Sequence, residues 1–344
     1  MAGKIGASQV SEHTEGISPM VEDDGADLEA LLDLATPWCL RVAATLRVAE
    51  HIDSGHDDIA GLAAAAGCDQ DALHAVLGHL VAKGIFTEPS PGQFAVNGPA
   101  ARLAATPFVD LNGFGGRMAH TWGTLLDYVR TGLPSYGKVF GRPFWEDLAA
   151  HPEIAAEFDA LMGPAGHGVP DYDVEITGGW DAVRTVVDVG GGTGALLAAL
   201  LRRHPATQGI LVDLPGTVAR AGEIVNDVAD RVTLAGQSFF DPLPAGADLY
   251  LLKSVLNDWP DEPTVAILRR CAEAAHAGTS IAVLGGVAPD AGPRTLGIDM
   301  LVAGGKTSPL TQFTELARQA GLDVIAARTQ ASGRYVVECR KATP

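Results

Sequence analysis

The sequence predicts an α/β protein whose C-terminal half forms a doubly wound, Rossmann-like sheet and whose N-terminal part is a mainly helical winged-helix unit. Three observations carry this expectation. Strand and helix patterns alternate after Tyr172, as a sheet covered by helices on both faces requires. The run Val-Val-Asp-Val-Gly-Gly-Gly-Thr-Gly, Val186 to Gly194, reads as a buried strand that enters a glycine loop and then a helix. Before residue 105, helical stretches and a strand-turn-strand follow one another in winged-helix order.

Residues 1–25 are polar and acidic, lack the basic-then-apolar pattern of a signal peptide, and are expected to be a disordered leader. The winged-helix unit is placed at 26–105. From Leu28 to about Ile52, apolar residues such as Leu31, Leu40, Val42 and Leu46 recur at helical spacing, and Pro37 is expected to divide the stretch into two helices. Asp57 or Asp58 can cap a short Ala-rich helix that stops at Gly67. Asp69 or Asp71 can cap a second, from Ala72 to Ala82, with Leu73, Val76, Leu77, Leu80 and Val81 turned inward. Strands at 84–87 and 93–96 flank a turn made by Pro89, Pro91 and Gly92. Residues 106–170 read as linking helices whose aromatic side chains, Trp122, Phe144, Trp145 and Phe158 among them, suit a pocket for a flat ligand. Within 171–344, strands are expected at 185–189, 210–212, 232–234, 249–252 and 281–284. Helices are expected at 195–203, 261–275 and 310–320, followed by a closing hairpin of 322–328 with 335–339.

The 344 residues carry a formal net charge of −18 and a pI near 4.8, which makes a phosphate backbone or an anionic membrane surface a poor partner. Between Val21 and Ala105 only four basic residues (Arg41, Arg47, Lys83, Arg102) stand against thirteen acidic ones, so the winged-helix unit is expected to build a homodimer and wall a substrate pocket, not to bind nucleic acid. No stretch approaches the roughly 20 apolar residues that span a bilayer. Cys39, Cys68, Cys271 and Cys339 are scattered without a C-x-x-C pair, which argues against a metal site or disulfide framework and for a reducing, cytoplasmic compartment.

The glycine loop carries the chemistry. Glycine is needed where the chain turns with positive φ and a ligand approaches its backbone. The next strand ends in Asp213, 19 residues past Gly194, where a carboxylate can accept both hydroxyls of a ribose. Gly190, Gly192 and Ala195 also satisfy a dinucleotide fingerprint with an acid 18 residues on. Two features favour S-adenosyl-L-methionine over that rival: Asp188, two residues before the first glycine, can reach a positively charged amino group, and the motif opens halfway along the chain instead of at its start.

Taken together, Asp-Val-Gly-Gly-Gly-Thr-Gly, then Asp213-Leu214-Pro215, Phe239-Phe240-Asp241-Pro242-Leu243-Pro244 and Leu252-Lys253-Ser254-Val255-Leu256-Asn257-Asp258-Trp259 resemble the S-adenosylmethionine-dependent O-methyltransferases. This family includes the plant caffeate enzymes and the bacterial polyketide and anthracycline enzymes, and its catalytic part has the class I methyltransferase sheet. The resemblance implies that Gly190 and Gly192 line the methionine part of the cofactor, that Asp213 and Leu214 hold the ribose and adenine, that Phe239 covers the adenine and that Lys253 lies along the cofactor's edge. Met162 and Trp145 match positions bordering the transferred methyl group, with an interdomain core position as the alternative for Trp145. Trp122 and Asp258 are candidates to contact the acceptor.

The sequence departs from the family pattern at three places. Ser238 replaces the Asp that receives the adenine amino group, and Asn257 replaces the His that acts as general base and cannot itself take a proton near neutral pH. The two acids that orient such a His are replaced by Gly285 and Thr307. His120 and His167 are the candidate substitute bases. The implied activity is methyl transfer to a hydroxyl of an aromatic, polyketide-like metabolite, achieved by proximity and orientation. The alternatives are an enzyme of this fold that hydroxylates, decarboxylates or cyclises its substrate, and a non-catalytic dimeric binding protein.

Overall fold

The computed structural model describes residues 27–162, 174–291 and 303–342. The expected leader and His167 lie outside them, as does the side chain of Met162.

The N-terminal unit contains helices α1 (Leu28–Leu31), α2 (Ala35–Thr45), α3 (Val48–Asp53), α4 (Ile59–Ala66) and α5 (Gln70–Ala82), the hairpin β1 (Phe86–Ser90) and β2 (Gln93–Val96), and α6 (Gly98–Ala104). Asp58 and Asp69 cap α4 and α5 by accepting from Gly61 N–H and Ala72 N–H at 2.9 Å each. Pro37 does not divide the first stretch. It lies in the first turn of α2, where the missing N–H has no helical partner to lose, and the break falls before it. A second break is at Arg47, in the left-handed region with φ 53°. Pro89 belongs to β1, so the turn is made by Pro91 and Gly92 alone. Leu62, Leu73, Leu77, Leu80, Phe86 and Phe94 close the core of this unit.

Helices α7 (Phe114–Thr121), α8 (Leu125–Thr131), α9 (Tyr136–Phe140), α10 (Phe144–Ala150) and α11 (Pro152–Met162) follow. The aromatic side chains expected here to serve a flat ligand instead pack mainly on one another. Phe114, Tyr136 and Phe144 are buried in one cluster with Phe140, Trp145 and Phe158 against it, joined by edge-to-face ring contacts such as Phe114–Phe158 at 5.1 Å.

The C-terminal half is a seven-stranded sheet among the described residues. Its elements are β3 (Thr185–Val189), α12 (Ala195–Arg203), β4 (Gln208–Asp213), α13 (Pro215–Val218), β5 (Val232–Gly236), β6 (Leu249–Lys253), α14 (Asp261–Ala274) and β7 (Ser280–Leu284). The short pair β8 (Val287–Ala288) and β9 (Ser308–Pro309), helix α15 (Leu310–Gln319), β10 (Leu322–Thr329) and β11 (Tyr335–Lys341) complete it. The sheet order is β10-β11-β7-β6-β3-β4-β5, parallel from β7 to β5 and antiparallel at β10 and β11. Alternate residues serve opposite faces: Val187 and Val189 join Ile267, Leu268 and Phe313 of α14 and α15, while Val186 joins Leu197, Leu200 and Leu201 of α12. The order in which successive strands are added reverses between β3 and the parallel strand β6, which places the ligand crevice at the carboxyl ends of these strands.

Candidate active site

Strand β3 delivers the glycine loop to that crevice. Gly190 (φ 68°) donates its N–H to Val212 O at 2.8 Å, tying the loop to β4. A Cβ at Gly190 would lie 2.8 Å from Val255 Cγ2 and 3.4 Å from the Phe239 ring, and one at Gly191 would lie 2.5 Å from the Asp188 carboxyl carbon. Glycine is therefore required at Gly191 by close approach, not by conformation. The Asp213 carboxylate accepts from Gly192 N–H at 2.8 Å and from Leu214 N–H at 2.7 Å, clasping the loop to the end of β4. Burial raises the Asp213 pKa, and those two N–H groups oppose the rise.

Asp188 is 1% exposed, and its Oδ2 is buried without a hydrogen-bond partner. Burial pushes its carboxyl up to about 7; Lys253 pulls it back and Asp213 adds to the rise.

Strand β6 ends at Lys253, and Ser254 (φ 55°) turns the chain into a single helical turn, Leu256–Asp258. Asn257 Nδ2 donates to Asp258 Oδ1 at 2.7 Å, and Asn257 Oδ1 is buried without a partner. Burial holds the Asp258 carboxyl well above the usual carboxylate range. Glycines stand beside this turn for a steric reason. A Cβ at Gly286 would come 2.6 Å from Asn257 N, and one at Gly285 would come 3.4 Å from Asn257 Oδ1. From the other side Lys306 N–H donates to Asn257 O at 2.7 Å, and Lys306 Nζ reaches Asp261 Oδ1 at 2.5 Å.

Aromatic rings connect the two sides of the crevice. Phe239 and Phe240 meet Trp259 edge-on at 5.9 and 5.0 Å. Trp259 in turn stacks on Trp145 at 6.1 Å and 19°, and Trp145 packs against Phe158 at 5.5 Å. Trp145 thus packs between the middle helices and the turn after β6. Trp259, which no spacing argument singled out, is the hub of this contact. Ser238 Oγ accepts from Phe240 N–H at 3.2 Å, and Leu214 caps α13 on the exposed side of Asp213.

Asp188, Gly190, Gly192, Asp213, Leu214, Phe239 and Lys253 therefore gather at the carboxyl ends of the strands, with Asn257 and Asp258 in the turn that follows Lys253. His120 is exposed on α7 with its ring 5.3 Å from Trp38, and Trp122 is exposed on the following turn. Among the described residues no hydrogen bond or ring contact joins either to the glycine loop or to Asn257.

The fold and this crevice define a nucleoside-cofactor enzyme of the methyltransferase type. The O-methyltransferase domain family matches residues 122–323. The chain is 44% identical over 312 residues, 87% of this chain and 93% of the relative, to the 2,7-dihydroxy-5-methyl-1-naphthoate 7-O-methyltransferase of Streptomyces carzinostaticus. It is 39% identical over 342 residues, 92% of this chain and 89% of the relative, to the aclacinomycin 10-hydroxylase RdmB of Streptomyces purpurascens. The crystal structure of NcsB1, an O-methyltransferase from neocarzinostatin biosynthesis in complex with S-adenosylmethionine and 2-hydroxy-5-methyl naphthoic acid, superposes with a TM-score of 0.76 at 41% identity, covering 93% of this chain and 100% of that one. The chain belongs to the O-methyltransferase family, and its cofactor is S-adenosylmethionine. The residues present fit that cofactor: an orphaned buried carboxyl oxygen stands under the loop, ready for a cation, and a second carboxylate closes the next strand.

Proposed function

We propose that this enzyme methylates a hydroxyl of a flat aromatic metabolite, bound between the middle helices and the sheet, with Asn257 orienting the acceptor. Bound S-adenosylmethionine supplies an electrophilic methyl group on a sulfonium. The protein supplies alignment. The observation that carries the reading is the Asn257 turn, which is braced by Lys306, Gly286 and Asp258 yet puts at the family histidine's position an amide that cannot take a proton. General-base catalysis contributes roughly 10²–10⁴ in rate, whereas alignment can be worth effective molarities of about 10⁵–10⁸ M, so a braced site without a base still accelerates transfer to an acidic phenol. The 44% identical relative is named for methylating the 7-hydroxyl of a dihydroxynaphthoate, a flat aromatic acceptor, and supports the reading.

Asn257→Ala is expected to lower kcat about tenfold, the equivalent of one hydrogen bond, with cofactor affinity unchanged. Transfer of label from methyl-labelled cofactor to dihydroxynaphthoates, in wild type and variant, measures this. A fall of a thousandfold or more would show that Asn257 does more than orient. Abolition of turnover by His120→Ala with cofactor binding intact would instead reveal a displaced base.

The hydroxylase at 39% identity favours a second reading, in which this chain binds the same cofactor and oxygenates its substrate. Absence of label transfer to every phenol tried, with a hydroxylated product formed instead, selects it.

We further propose a cytoplasmic homodimer. Leu28, Leu31, Leu32 and Leu34 are 65–76% exposed and Trp38 is 40% exposed, an apolar ridge along α1 and α2 that a second copy would cover. Four free cysteines fit a reducing compartment. Light scattering of the full chain at micromolar concentration is expected to give twice the chain mass, and a monomer there would overturn the assignment.

A further inference from the structure

We propose that Lys306 is a positioning residue, which holds the Asn257 turn in place through its ion pair with Asp261. The inference rests on the reading that Asn257 orients the acceptor, and it adds the residue that fixes Asn257. Lys306 touches both ends of one short segment. Its backbone N–H donates to Asn257 O at 2.7 Å, and its Nζ reaches Asp261 Oδ1, in the first turn of α14, at 2.5 Å. The other oxygen of Asp261 accepts from Gln312 Nε2 of α15 at 3.0 Å. Both carboxylate oxygens are thus engaged, and the anchor that Lys306 grips is itself fixed.

The segment that carries Lys306 is fastened on two sides. Towards the sheet, Ser308 N–H donates to Gly286 O at 2.9 Å, and β9 pairs with β8 with Ser308 opposite Val287. Towards the middle helices, Ala303 packs against the cluster of Phe114, Tyr136 and Phe144. Gly304 lies so near the connection between α8 and α9 that a Cβ there would come 3.2 Å from Pro134 Cγ. Residues 303–308 therefore run from the helices proposed to border the acceptor to the turn proposed to orient it. Without the ion pair, the hydrogen bonds from this segment to residues 257–261 reduce, among the described residues, to the one at Asn257 O.

As a stabilising contact the pair is worth little. The side chains of Lys306 and Asp261 are 32% and 45% exposed, and ion pairs so open to water add hardly any net stability. Placement is a separate quantity, because a displacement of about 1 Å in a reacting geometry can cost about a hundredfold in rate. The ceiling here is lower. A residue that acts only through Asn257 cannot forfeit more than Asn257 itself supplies, about tenfold. Rate, not stability or cofactor binding, is therefore the property that the pair controls.

A double-variant cycle in the full chain tests this, read by label transfer from methyl-labelled cofactor to dihydroxynaphthoates. Lys306→Met keeps a stem of similar length and removes the charge, and is expected to lower kcat about three- to tenfold, with Tm and S-adenosylhomocysteine affinity unchanged. Lys306→Arg, which can still reach the Asp261 carboxylate, should stay within about twofold of wild type. Placed in Asn257→Ala, the Met substitution should change kcat by less than about twofold, because the two losses are one loss. An equal fall in both backgrounds would overturn the proposal by placing the effect elsewhere than Asn257, and so would a wild-type kcat in Lys306→Met. Hydrogen exchange supplies a readout that does not depend on the reaction: amides in 256–261 should exchange faster in Lys306→Met and at the wild-type rate in Lys306→Arg. Unchanged exchange in Lys306→Met would overturn the proposal whatever the substrate. Absence of label transfer by the wild type would instead strike the reading of the reaction and leave the exchange result to decide the role of Lys306.

Discussion

Asp213→Ala is expected to weaken S-adenosylmethionine binding by about 10²–10⁴. Charge-assisted hydrogen bonds are worth roughly 1.5–3 kcal/mol each, and a carboxylate at the end of β4 can make two of them to the vicinal hydroxyls of a ribose. Asp213 also clasps Gly192 N–H and Leu214 N–H, so its loss frees the loop that must face the cofactor, and the two effects act in the same direction. Asp213→Asn keeps the size and one acceptor and should lose less. Calorimetric titration measures both, with circular dichroism and thermal melting to show that the sheet is intact. An unchanged dissociation constant in a folded Asp213→Ala would move the ribose elsewhere and dissolve the site as drawn. This effect exceeds the tenfold expected at Asn257 because it acts on binding of the reactant that brings the methyl group, not on the alignment of its partner.

Much of the sheet was legible because its signals are local. The change from strand to helix period around the glycine loop is abrupt, and β3 and α12 occupy the residues expected, 185–189 and 195–203. Asp213 was legible for the same reason: a strand that ends in an acid after a glycine loop restricts what the acid can meet. What escaped the sequence is set by long-range contact. Periodicity gives aromatic side chains on a helix the same spacing whether they line a pocket or pack on one another, and Phe114, Tyr136 and Phe144 do the latter. Trp259 is a hub because two segments more than a hundred residues apart meet at Trp145, which no window of sequence contains. Gly285 reads as an absent acid until the close approach of the Asn257 turn to it and to Gly286 explains it. Arg47 breaks the first helical stretch in a left-handed conformation that no glycine, asparagine or proline announces.

Glu338→Ala is expected to destabilise the folded protein by about 3–5 kcal/mol, the penalty for removing one partner of a buried ion pair, and to lower Tm on the order of 10 °C. Glu338 lies on β11, fully buried, and its carboxylate accepts from Thr177 N–H at 2.9 Å, from Thr177 Oγ1 at 3.0 Å and from Arg328 Nη1 at 2.6 Å. Arg328 and Gln330 continue the network to Glu175 O at 2.7 and 2.8 Å. This polar clamp holds the segment carrying Val174 and Ile176 over the face of the sheet on which α12 packs. Truncation would leave Arg328 and the Thr177 N–H facing an apolar gap, whereas Glu338→Gln keeps the shape and an acceptor and should cost less than half as much. Strand β11 is separated from β4 by β7, β6 and β3, so a folded Glu338→Ala protein should bind S-adenosylmethionine as wild type does. Thermal melting and calorimetric titration of the same preparation separate the two quantities. An unaltered Tm would show that the clamp contributes no net stability, and a weakened cofactor affinity in the folded variant would show that the far edge of the sheet shapes the site.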